Sequence, residues 1–321
     1  MNSQHNIGTI PLELLRCPVC KSRLELHIDQ IKCSRPDCGI DFPLVDGIPI
    51  LINDKSSIFS IADIVSQHNT ATHSRPTVIK RLADSILPSI STNITSAQHY
   101  EHFSQLLLQQ SDTPKVLVLG GRILGQGMQA LRLQSTDSLI ETDITFGPRT
   151  KLICDAHDIP FADETFEGVI IQAVLNQAVN PYQCVKEIHR VLKTGGLVYA
   201  ETPFMQQVLN RYDFTRFTNL GHRRLFGRFD EIDSGAACGP GMALAWAYYY
   251  FLLSFAQTTF ARKLMHAIAS LTSFYLKYFD YYLIQKSAAI DAASSYYFVG
   301  RKSEQVLADR DLIFLYKGCK N

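Results

Sequence analysis

The sequence predicts an α/β protein, with a doubly wound, Rossmann-like sheet preceded by a small cysteine-rich module. From Lys115 onward, apolar runs alternate with amphipathic stretches, a pattern typical of a parallel sheet with helices on both faces. Four of the eight cysteines fall between Cys17 and Cys38. A chain of 321 residues is also long enough to form two domains rather than one.

Composition and charge are those of an ordinary globular protein. The net charge is +1 and the isoelectric point is near 7.6, so the whole chain has no general attraction for nucleic acid or anionic lipid. The first ten residues, MNSQHNIGTI, lack the basic and apolar regions of a secretory signal, and the scattered cysteines outside the cluster do not form a disulfide framework. These features predict a cytoplasmic protein.

The cysteine cluster has the spacing of a zinc ribbon, in which two residues separate the first pair and four separate the second. Four thiolates bind zinc tetrahedrally, and a two-residue spacing lets one turn direct two sulfurs at the metal. The intervening RLELHIDQIKC alternates like a two-stranded hairpin, on which His27 is an alternative ligand. The predicted ligands of this structural zinc ion are Cys17, Cys20, Cys33 and Cys38.

The same stretch resembles the small zinc-ribbon activator protein that pairs with tRNA and protein methyltransferases. This resemblance covers about residues 12–53 and includes FPLVDGIPIL after the last cysteine. It implies a docking or stabilising role for a ribbon domain over residues 1–55, but it does not imply a tRNA substrate. Residues 56–112 have weaker helical spacing and are predicted to form a connector.

Four apolar runs predict the first parallel strands: KVLVLG, SLIETDI, KLICDA and EGVIIQAV. Ligands of such sheets bind outside the carboxyl ends of the strands, where Asp143 ends the second strand and Asp155 comes after the third. The glycines after the first run let backbone amides approach a ligand. Because GGRILGQG lacks the G-x-G-x-x-G spacing, a dinucleotide site is the weaker interpretation. A helix capped by Asn180 and ended by Gly195 is predicted next.

The segments DAHDIPFADETFEGVIIQAVLNQAVNP and HRVLKTGG resemble the core of class I S-adenosylmethionine-dependent methyltransferases, over about residues 115–204. In that family the glycine loop contacts the methionine part of the cofactor, the second-strand acid holds the ribose, and the third-strand acid lies by the adenine. The resemblance implies a cofactor site of Gly120, Gly121, Gly125, Asp143, Asp155, Ala156 and Gln172. The sequence departs from the family pattern at Val118, at Arg122 and at residues 175–177.

The segment YDFTRFTNLGHRRLFGRFDEIDSGA resembles the corresponding region of class I methyltransferases from polysaccharide and surface-glycan biosynthesis. This resemblance implies a hydroxyl group of a saccharide or glycan precursor as the methyl acceptor. A hydroxyl acceptor must lose its proton, and the titratable candidates for the catalytic base are His222 and Asp213. Side chains that could hold an acidic group on the acceptor are Arg216, Arg223 and Arg224.

Two aromatic-rich stretches over residues 242–284 predict a helical hairpin inserted before the last strand. The first contains twenty uncharged residues, enough to span a bilayer, but SSYYFVGRKS then returns to the sheet. The hairpin is therefore predicted to be buried, to form a homodimer contact or to lie at a membrane interface. The catalytic domain is predicted over residues 113–303, followed by a tail over residues 304–321.

These inferences together predict a cytoplasmic methyltransferase that uses S-adenosylmethionine and acts on a saccharide or a lipid-linked glycan, at the inner membrane surface in the second case. One alternative is a non-catalytic adapter whose altered glycine loop no longer binds cofactor. A second alternative is a tRNA or rRNA methyltransferase, which the ribbon suggests. The near-neutral charge and the lack of a basic patch interleaved with stacking aromatics oppose a nucleic-acid partner.

Overall fold

The computed structural model describes residues 6–7, 10–28, 30–71, 87–133 and 138–319. Residues 72–86 of the predicted connector lie outside this part of the chain. The strands are β1 (Asn6–Ile7), β2 (Ile10–Pro11), β3 (Leu24–His27), β4 (Gln30–Cys33), β5 (Asp41–Val45), β6 (Ile48–Leu51), β7 (Val116–Leu119), β8 (Leu139–Asp143), β9 (Leu152–Cys154), β10 (Phe166–Gln172), β11 (Leu192–Pro203), β12 (Phe229–Cys238) and β13 (Ser295–Lys302). The helices are α1 (Ile61–Ala71), α2 (Ser96–Leu108), α3 (Pro181–Val191), α4 (Asn219–Leu225), α5 (Pro240–Leu253), α6 (Thr259–Ser273), α7 (Asp280–Leu283), α8 (Ser287–Asp291) and α9 (Asp309–Leu312).

Strands β7 to β13 form the doubly wound sheet, in the spatial order β12-β13-β11-β10-β7-β8-β9. Strands β7 to β11 are parallel, whereas β13 is antiparallel to both β11 and β12. All four residues of β7 are buried, as expected for a central parallel strand whose two faces are both covered. The predicted fold class is confirmed.

The N-terminal ribbon extends this sheet. Strands β3 to β6 pair antiparallel with one another, and β6 then pairs in parallel with β9. In this pairing Ile50 lies opposite Ile153 and Leu51 lies opposite Cys154, so that the sheet has eleven strands within the described residues. The pairing covers the edge of β9, which the doubly wound sheet alone would expose. The ribbon is therefore built into the sheet.

Helix α3 begins as the sequence predicts but ends earlier. The Asn180 side chain accepts a hydrogen bond from the Gln183 amide, and Pro181 occupies the first turn. The helix ends at Val191, and β11 begins at the next residue, with Gly195 inside the strand at a φ of +74°. The prediction that Gly195 ends the helix is wrong, because residues 192–194 have already entered the extended strand.

The chain between β12 and β13 is helical. Helices α5 and α6 are joined by a hydrogen bond between Tyr249 Oη and His266 Nδ1 at 3.0 Å. The buried Asp280 carboxylate accepts hydrogen bonds from the amides of Gly241 and Met242 at 2.7 and 3.0 Å, and so caps the beginning of α5. No helix within the described ranges combines the length and the apolar character that crossing a bilayer requires.

Candidate cofactor cleft and zinc centre

The four ribbon cysteines converge on one point, and their Sγ atoms all lie within 4.8 Å of one another. The Cys17 and Cys38 sulfurs are 3.8 Å apart, and those of Cys20 and Cys33 are 3.4 Å apart. A tetrahedral zinc ion with Zn–S bonds of about 2.3 Å separates its sulfurs by roughly 3.8 Å, so both the donors and their spacing fit structural zinc. His27 is exposed and does not belong to this group of described residues.

Two neighbouring cavities lie at the carboxyl ends of the central strands, and Leu119 and Gly120 at the end of β7 line both. The β8–β9 cavity has a volume of about 430 Å³ and extends over the ends of those two strands. The β10–β11 cavity has a volume of about 400 Å³ and extends in the opposite direction. Volumes of this size suit small ligands, and the shared residues make the two cavities adjacent compartments of one cleft.

Asp143 lines the β8–β9 cavity from the end of β8. Its Oδ1 accepts hydrogen bonds from the Thr145 amide and hydroxyl at 3.0 and 2.9 Å, and its Oδ2 accepts one from the Arg122 amide at 3.2 Å. These contacts fix the orientation of the carboxylate. A carboxylate offers about four acceptor positions, so roughly one position remains for a ligand hydroxyl. A second ligand hydroxyl would displace one of the three bonds, of which the one from the Arg122 amide is the longest.

Asp155, with Ala156 beside it, lines the same cavity after β9. Its Oδ1 accepts a hydrogen bond from the His157 amide and lies 2.6 Å from His157 Nδ1, while Oδ2 accepts one from Ser57 Oγ at 2.5 Å. Burial acts to raise the pKa of the Asp155 carboxyl, but the hydrogen bonds from His157 and Ser57 outweigh it and lower the pKa. The carboxylate is ionised at neutral pH and already bound by the protein.

The segment that follows the ribbon forms a further wall of the β8–β9 cavity. Residues 58–60 line it together with residues of α1, and Arg211 and Tyr212 line it too. The ring centroids of Phe59 and Tyr212 are 5.4 Å apart. Helical spacing predicted α1 without indicating what it packs against, so this wall of the cavity could not be predicted from the sequence.

The glycine turn after β7 depends on missing side chains at two positions. Gly120 has a φ of +82°, and a Cβ there would lie 2.4 Å from Val174 Cγ2. A Cβ on Gly125 would lie 2.1 Å from the Gln172 side-chain oxygen. Gly120, Gly125 and Gln172 all line the β10–β11 cavity. Three of the predicted cofactor residues therefore meet there.

Gly121 lines neither of the two cavities. Its amide donates a hydrogen bond to the Thr142 carbonyl at 2.8 Å, and a Cβ on it would lie 3.0 Å from Glu141 Cβ. The missing side chain allows close packing of the turn onto β8. Val118, where the family has an acid, is buried and lines the β10–β11 cavity.

Glu201 is the main cavity residue that the sequence analysis missed. It lies near the end of β11, where its Oε1 accepts a hydrogen bond from Asn93 Nδ2 at 2.8 Å. Its Oε2 accepts hydrogen bonds from Gln172 Nε2 at 3.0 Å and from Tyr199 Oη at 3.2 Å. Burial raises the pKa of the Glu201 carboxyl to about 7, against the lowering effect of these hydrogen bonds. A glutamate within the apolar run LVYAETPF was the available signal.

The two predicted catalytic bases do not reach the β10–β11 cavity. His222 is 2% exposed, and its ring centroid lies 5.3 Å from that of Phe226. Burial lowers the pKa of the His222 imidazole to about 3, so the ring is neutral. His222 therefore packs among aromatic side chains, away from the residues that line either cavity.

Neighbouring side chains of the protein already bind the Asp213 carboxylate. It forms an ion pair with Arg216 and accepts a hydrogen bond from Asn176 Nδ2 at 2.7 Å. Burial acts to raise the pKa of its carboxyl, but the hydrogen bonds from Arg216 and Asn176 outweigh it and lower the pKa. A carboxylate held in this way is a weak base, and it orders the loop beside the cleft. The other two predicted acceptor-binding arginines also pair with carboxylates of the chain: Arg223 with Glu231 and Arg224 with Asp309.

Comparison with known proteins supports the assignment of the central sheet. The Methyltransf_11 family, described as a methyltransferase domain, matches residues 125–200. The ubiquinone/menaquinone biosynthesis C-methyltransferase of Desulfotalea psychrophila is 34% identical over 86 residues, which make up 26% of this chain and 34% of that protein. The chain thus spans about a third of the length of that relative. Haemonchus contortus phosphoethanolamine N-methyltransferase 2, solved with S-adenosyl-L-methionine, is 14% identical, with 63% of this chain and 53% of that chain covered at a TM-score of 0.38.

The sheet order and the family match define an α/β protein that carries a methyltransferase domain, and S-adenosylmethionine is the cofactor of that class. A UPF0434 protein of Pseudomonas savastanoi pv. phaseolicola is 35% identical over 49 residues, which make up 15% of this chain and 80% of that protein. Through its zinc ribbon, the chain belongs to the UPF0434 protein family.

Proposed function

We propose that the protein is an S-adenosylmethionine-dependent methyltransferase whose cofactor lies across the two cavities. The observation that carries this proposal is the placement of Asp143 and Asp155 at adjacent strand ends, in a cavity that adjoins the one containing Glu201. Asp143 would hold the ribose hydroxyls, and Asp155 with Ala156 would lie by the adenine. The methionine part would pack against Gly120, Gly125 and Gln172.

A hydroxyl of a saccharide or glycan precursor is the acceptor that we propose for the β10–β11 cavity. Hydrogen-bonding side chains line this cavity: Ser91, Asn93, Gln206, Gln207 and Ser295. Two buried polar atoms in the lining, Trp246 Nε1 and Gln207 Oε1, have no hydrogen-bond partner among the described residues. A ligand with several hydroxyl groups could satisfy both atoms, whereas an apolar ligand would leave them unsatisfied.

Glu201 is the group that we propose to take the acceptor proton. When bound, S-adenosylmethionine supplies an electrophilic methyl group, and the acceptor oxygen needs a nearby base as it attacks. A carboxyl with a pKa of about 7 is partly ionised at neutral pH and can accept this proton. Asn93 donates a hydrogen bond to one carboxylate oxygen and Gln172 to the other, which holds the group in place.

A lipid-linked saccharide is the form of acceptor that we favour. Helix α5 contributes Met242 and Trp246 to the lining of the β10–β11 cavity, while Leu244 and Phe251 of the same helix are exposed. One helix therefore borders both a polar binding cavity and an apolar surface. That arrangement suits a substrate with a polar head and a hydrocarbon chain.

A non-catalytic adapter is the second candidate function, and the glycine turn favours it. The amides of Gly120 and Gly121 both donate to the Thr142 carbonyl, at 2.9 and 2.8 Å, so neither is free to bind a ligand. Cofactor binding must then depend on Asp143, Asp155 and the shape of the cleft. A protein that folds and binds zinc but not S-adenosylmethionine would be an adapter.

Calorimetric titration with S-adenosylmethionine tests the proposal. We expect the wild type to bind, and Asp143→Ala to bind about tenfold or more weakly, because the ribose hydroxyls lose a charged hydrogen-bond acceptor. Asp230→Ala is the matched control, since this exposed aspartate on β12 lines neither cavity and its loss should change nothing. No heat from folded, zinc-loaded wild type at millimolar cofactor would contradict the proposal.

A further inference from the structure

Residues 240–286 leave an unusual amount of apolar surface exposed. The large exposed apolar side chains in this segment are Leu244, Tyr250, Phe251, Phe255, Phe260, Leu264, Ile268, Leu271, Tyr275, Tyr278, Phe279, Tyr281 and Tyr282. Single exposed apolar residues are normal on a soluble protein, but a dense set of this kind indicates an interaction surface.

The exposed residues follow the helical repeat. On α6, Phe260, Leu264, Ile268 and Leu271 are spaced by four, four and three residues, so they form one apolar stripe along the helix. The side of α6 that faces the protein carries small residues, as the burial of Ala269, Ser270 and Ser273 shows. The apolar stripe therefore faces solvent while the small residues pack inward.

Three phenylalanines cluster where α5 turns into α6. Phe251 lies in the last turn of α5, Phe255 lies in the connecting turn and Phe260 lies in the first turn of α6, with 60%, 69% and 77% of their surfaces exposed. The ring centroids of Phe251 and Phe255 are 5.3 Å apart. These three residues form an aromatic tip on the helical hairpin, and most of their surface faces solvent.

The charges around the aromatic tip distinguish between the partners that could cover it. Between residues 240 and 286 the sequence has a single carboxylate, Asp280, which is buried against the beginning of α5. Arg262 and Lys263 are exposed directly behind the tip, and Lys286 is exposed further along. Cations without nearby carboxylates match anionic lipid headgroups. A symmetric contact with a second copy would instead bring equivalent cations together.

We infer that the hairpin of α5 and α6 docks the protein on an anionic membrane surface by inserting its aromatic tip, with Arg262 and Lys263 on the lipid headgroups. Along α5, the cavity-lining Trp246 and the tip residue Phe251 are separated by five positions, or roughly 7.5 Å at a helical rise of about 1.5 Å per residue. This distance is comparable with the depth of a headgroup layer. The link to a lipid-linked acceptor rests on the proposed function, whereas the docking itself does not.

Flotation of the full-length, zinc-loaded protein with vesicles tests the docking. With phosphatidylcholine vesicles that contain phosphatidylglycerol we expect most of the protein to float, and with phosphatidylcholine alone we expect it to remain at the bottom. The triple variant Phe251→Ser, Phe255→Ser and Phe260→Ser should lower the floated fraction about tenfold, because the inserted apolar surface is lost. The matched control is Ile313→Ser with Phe314→Ser, which removes two exposed apolar side chains outside the hairpin and should float like the wild type.

The double variant Arg262→Ala, Lys263→Ala should float less than the wild type, because it lacks the two cations that attract the headgroups. High salt should also reduce flotation of the wild type, because it screens the same attraction. An unchanged melting temperature and S-adenosylmethionine affinity show that a variant is folded. The inference would be overturned if the wild type stayed at the bottom with both kinds of vesicle. It would also be overturned if light scattering showed that the wild type is a dimer and that the triple variant is a monomer. Flotation without cofactor binding would overturn the proposed function and leave the docking intact.

Discussion

The β8–β9 and β10–β11 cavities share a wall at Gly120, but each contains a buried carboxyl group whose pKa is shifted in the opposite direction from the other's. In the first, hydrogen bonds lower the pKa of Asp155, so that a buried carboxylate remains ionised. In the second, burial raises the pKa of Glu201 to about 7 despite its hydrogen bonds. A permanently ionised carboxylate suits steady hydrogen bonding to a cofactor, whereas one that titrates near neutrality suits proton transfer. Under the proposed function, the adenosine part of the cofactor would bind in the first compartment and the acceptor proton would be removed in the second.

Loss of the zinc ion should have the largest effect, and should fall on the β8–β9 side. Cys17→Ser with Cys20→Ser should release zinc and lower the melting temperature by about 10 °C or more, because β6 supports β9 and Ser57 holds Asp155. Differential scanning fluorimetry and metal analysis measure both effects. Cys319→Ser, an exposed cysteine outside the ribbon, is the control. If the zinc-free variant kept the melting temperature of the wild type, the ribbon would not contribute to the stability of the catalytic sheet.

Glu201→Gln should separate binding from reaction. The amide keeps the size of the side chain but cannot take a proton, so methyl transfer should fall roughly 10²–10⁴-fold while S-adenosylmethionine affinity stays near that of the wild type. The measurement is the initial rate with labelled cofactor and a saccharide acceptor found by screening. Glu304→Gln, at an exposed position, serves as the control and should be fully active. If the S-adenosylmethionine affinity of Glu201→Gln fell by the same factor as its rate, Glu201 would be a cofactor-binding residue and not the base.

The pH dependence of the rate gives an independent readout of the same carboxyl. Because the ionised form accepts the proton, the wild-type rate should rise as the pH increases through about 7 and then level off. The residual rate of Glu201→Gln should lack this rise. The same rise in both proteins would mean that another group is the base.

Glu201 should also make folding stability depend on pH. Its pKa is about 7 in the folded protein and about 4.5 in the unfolded chain, so the folded state binds the proton more tightly. Stability relative to Glu201→Gln should be greatest below about pH 4.5 and decline by about 3 kcal/mol as the pH rises to about 7. Urea unfolding of both proteins across this range measures the difference. A constant difference would show that Glu201 does not titrate there.

The ion pair between the ribbon and α3 should have the smallest effect. Lys21 Nζ lies 2.9 Å from Glu187 Oε2, but the lysine is 35% exposed and Glu187 also pairs with Arg190. Lys21→Ala should therefore cost only about 0.5–1 kcal/mol and leave cofactor affinity unchanged. Chemical denaturation measures this, with the exposed Lys55→Ala as the control. A loss comparable to zinc removal would mean that this contact, and not strand pairing, joins the ribbon to the sheet.

The features that the sequence predicted are those that short patterns define. The cysteine spacing predicted the zinc ligands, and the apolar runs located β7 to β10 together with the carboxylates at the ends of β8 and β9. Each pattern is local, because the physical requirement acts within one turn or one strand end. The fold class follows from the same alternation, since parallel strands require covering helices.

The features that the sequence did not predict depend on contacts between distant segments. Glu201 gains its raised pKa from burial in a cavity that residues of β13 and α5 also line. Phe59 lines the cleft from the segment that follows β6, the strand that pairs with β9. His222 looked like a base because the imidazole titrates near neutral pH in water, yet its aromatic surroundings remove that property. Burial of this kind cannot be read from local spacing.

A crystal structure with S-adenosylhomocysteine bound would test the central claim most directly, because the claim concerns which compartment does which task. We predict the ribose hydroxyls on the Asp143 carboxylate, the adenine beside Asp155 and Ala156, and the sulfur atom at Gly120, facing the compartment that contains Glu201. An adenosine group in the β10–β11 cavity, or a ligand that contacts neither Asp143 nor Gly120, would contradict the division of tasks between the two cavities.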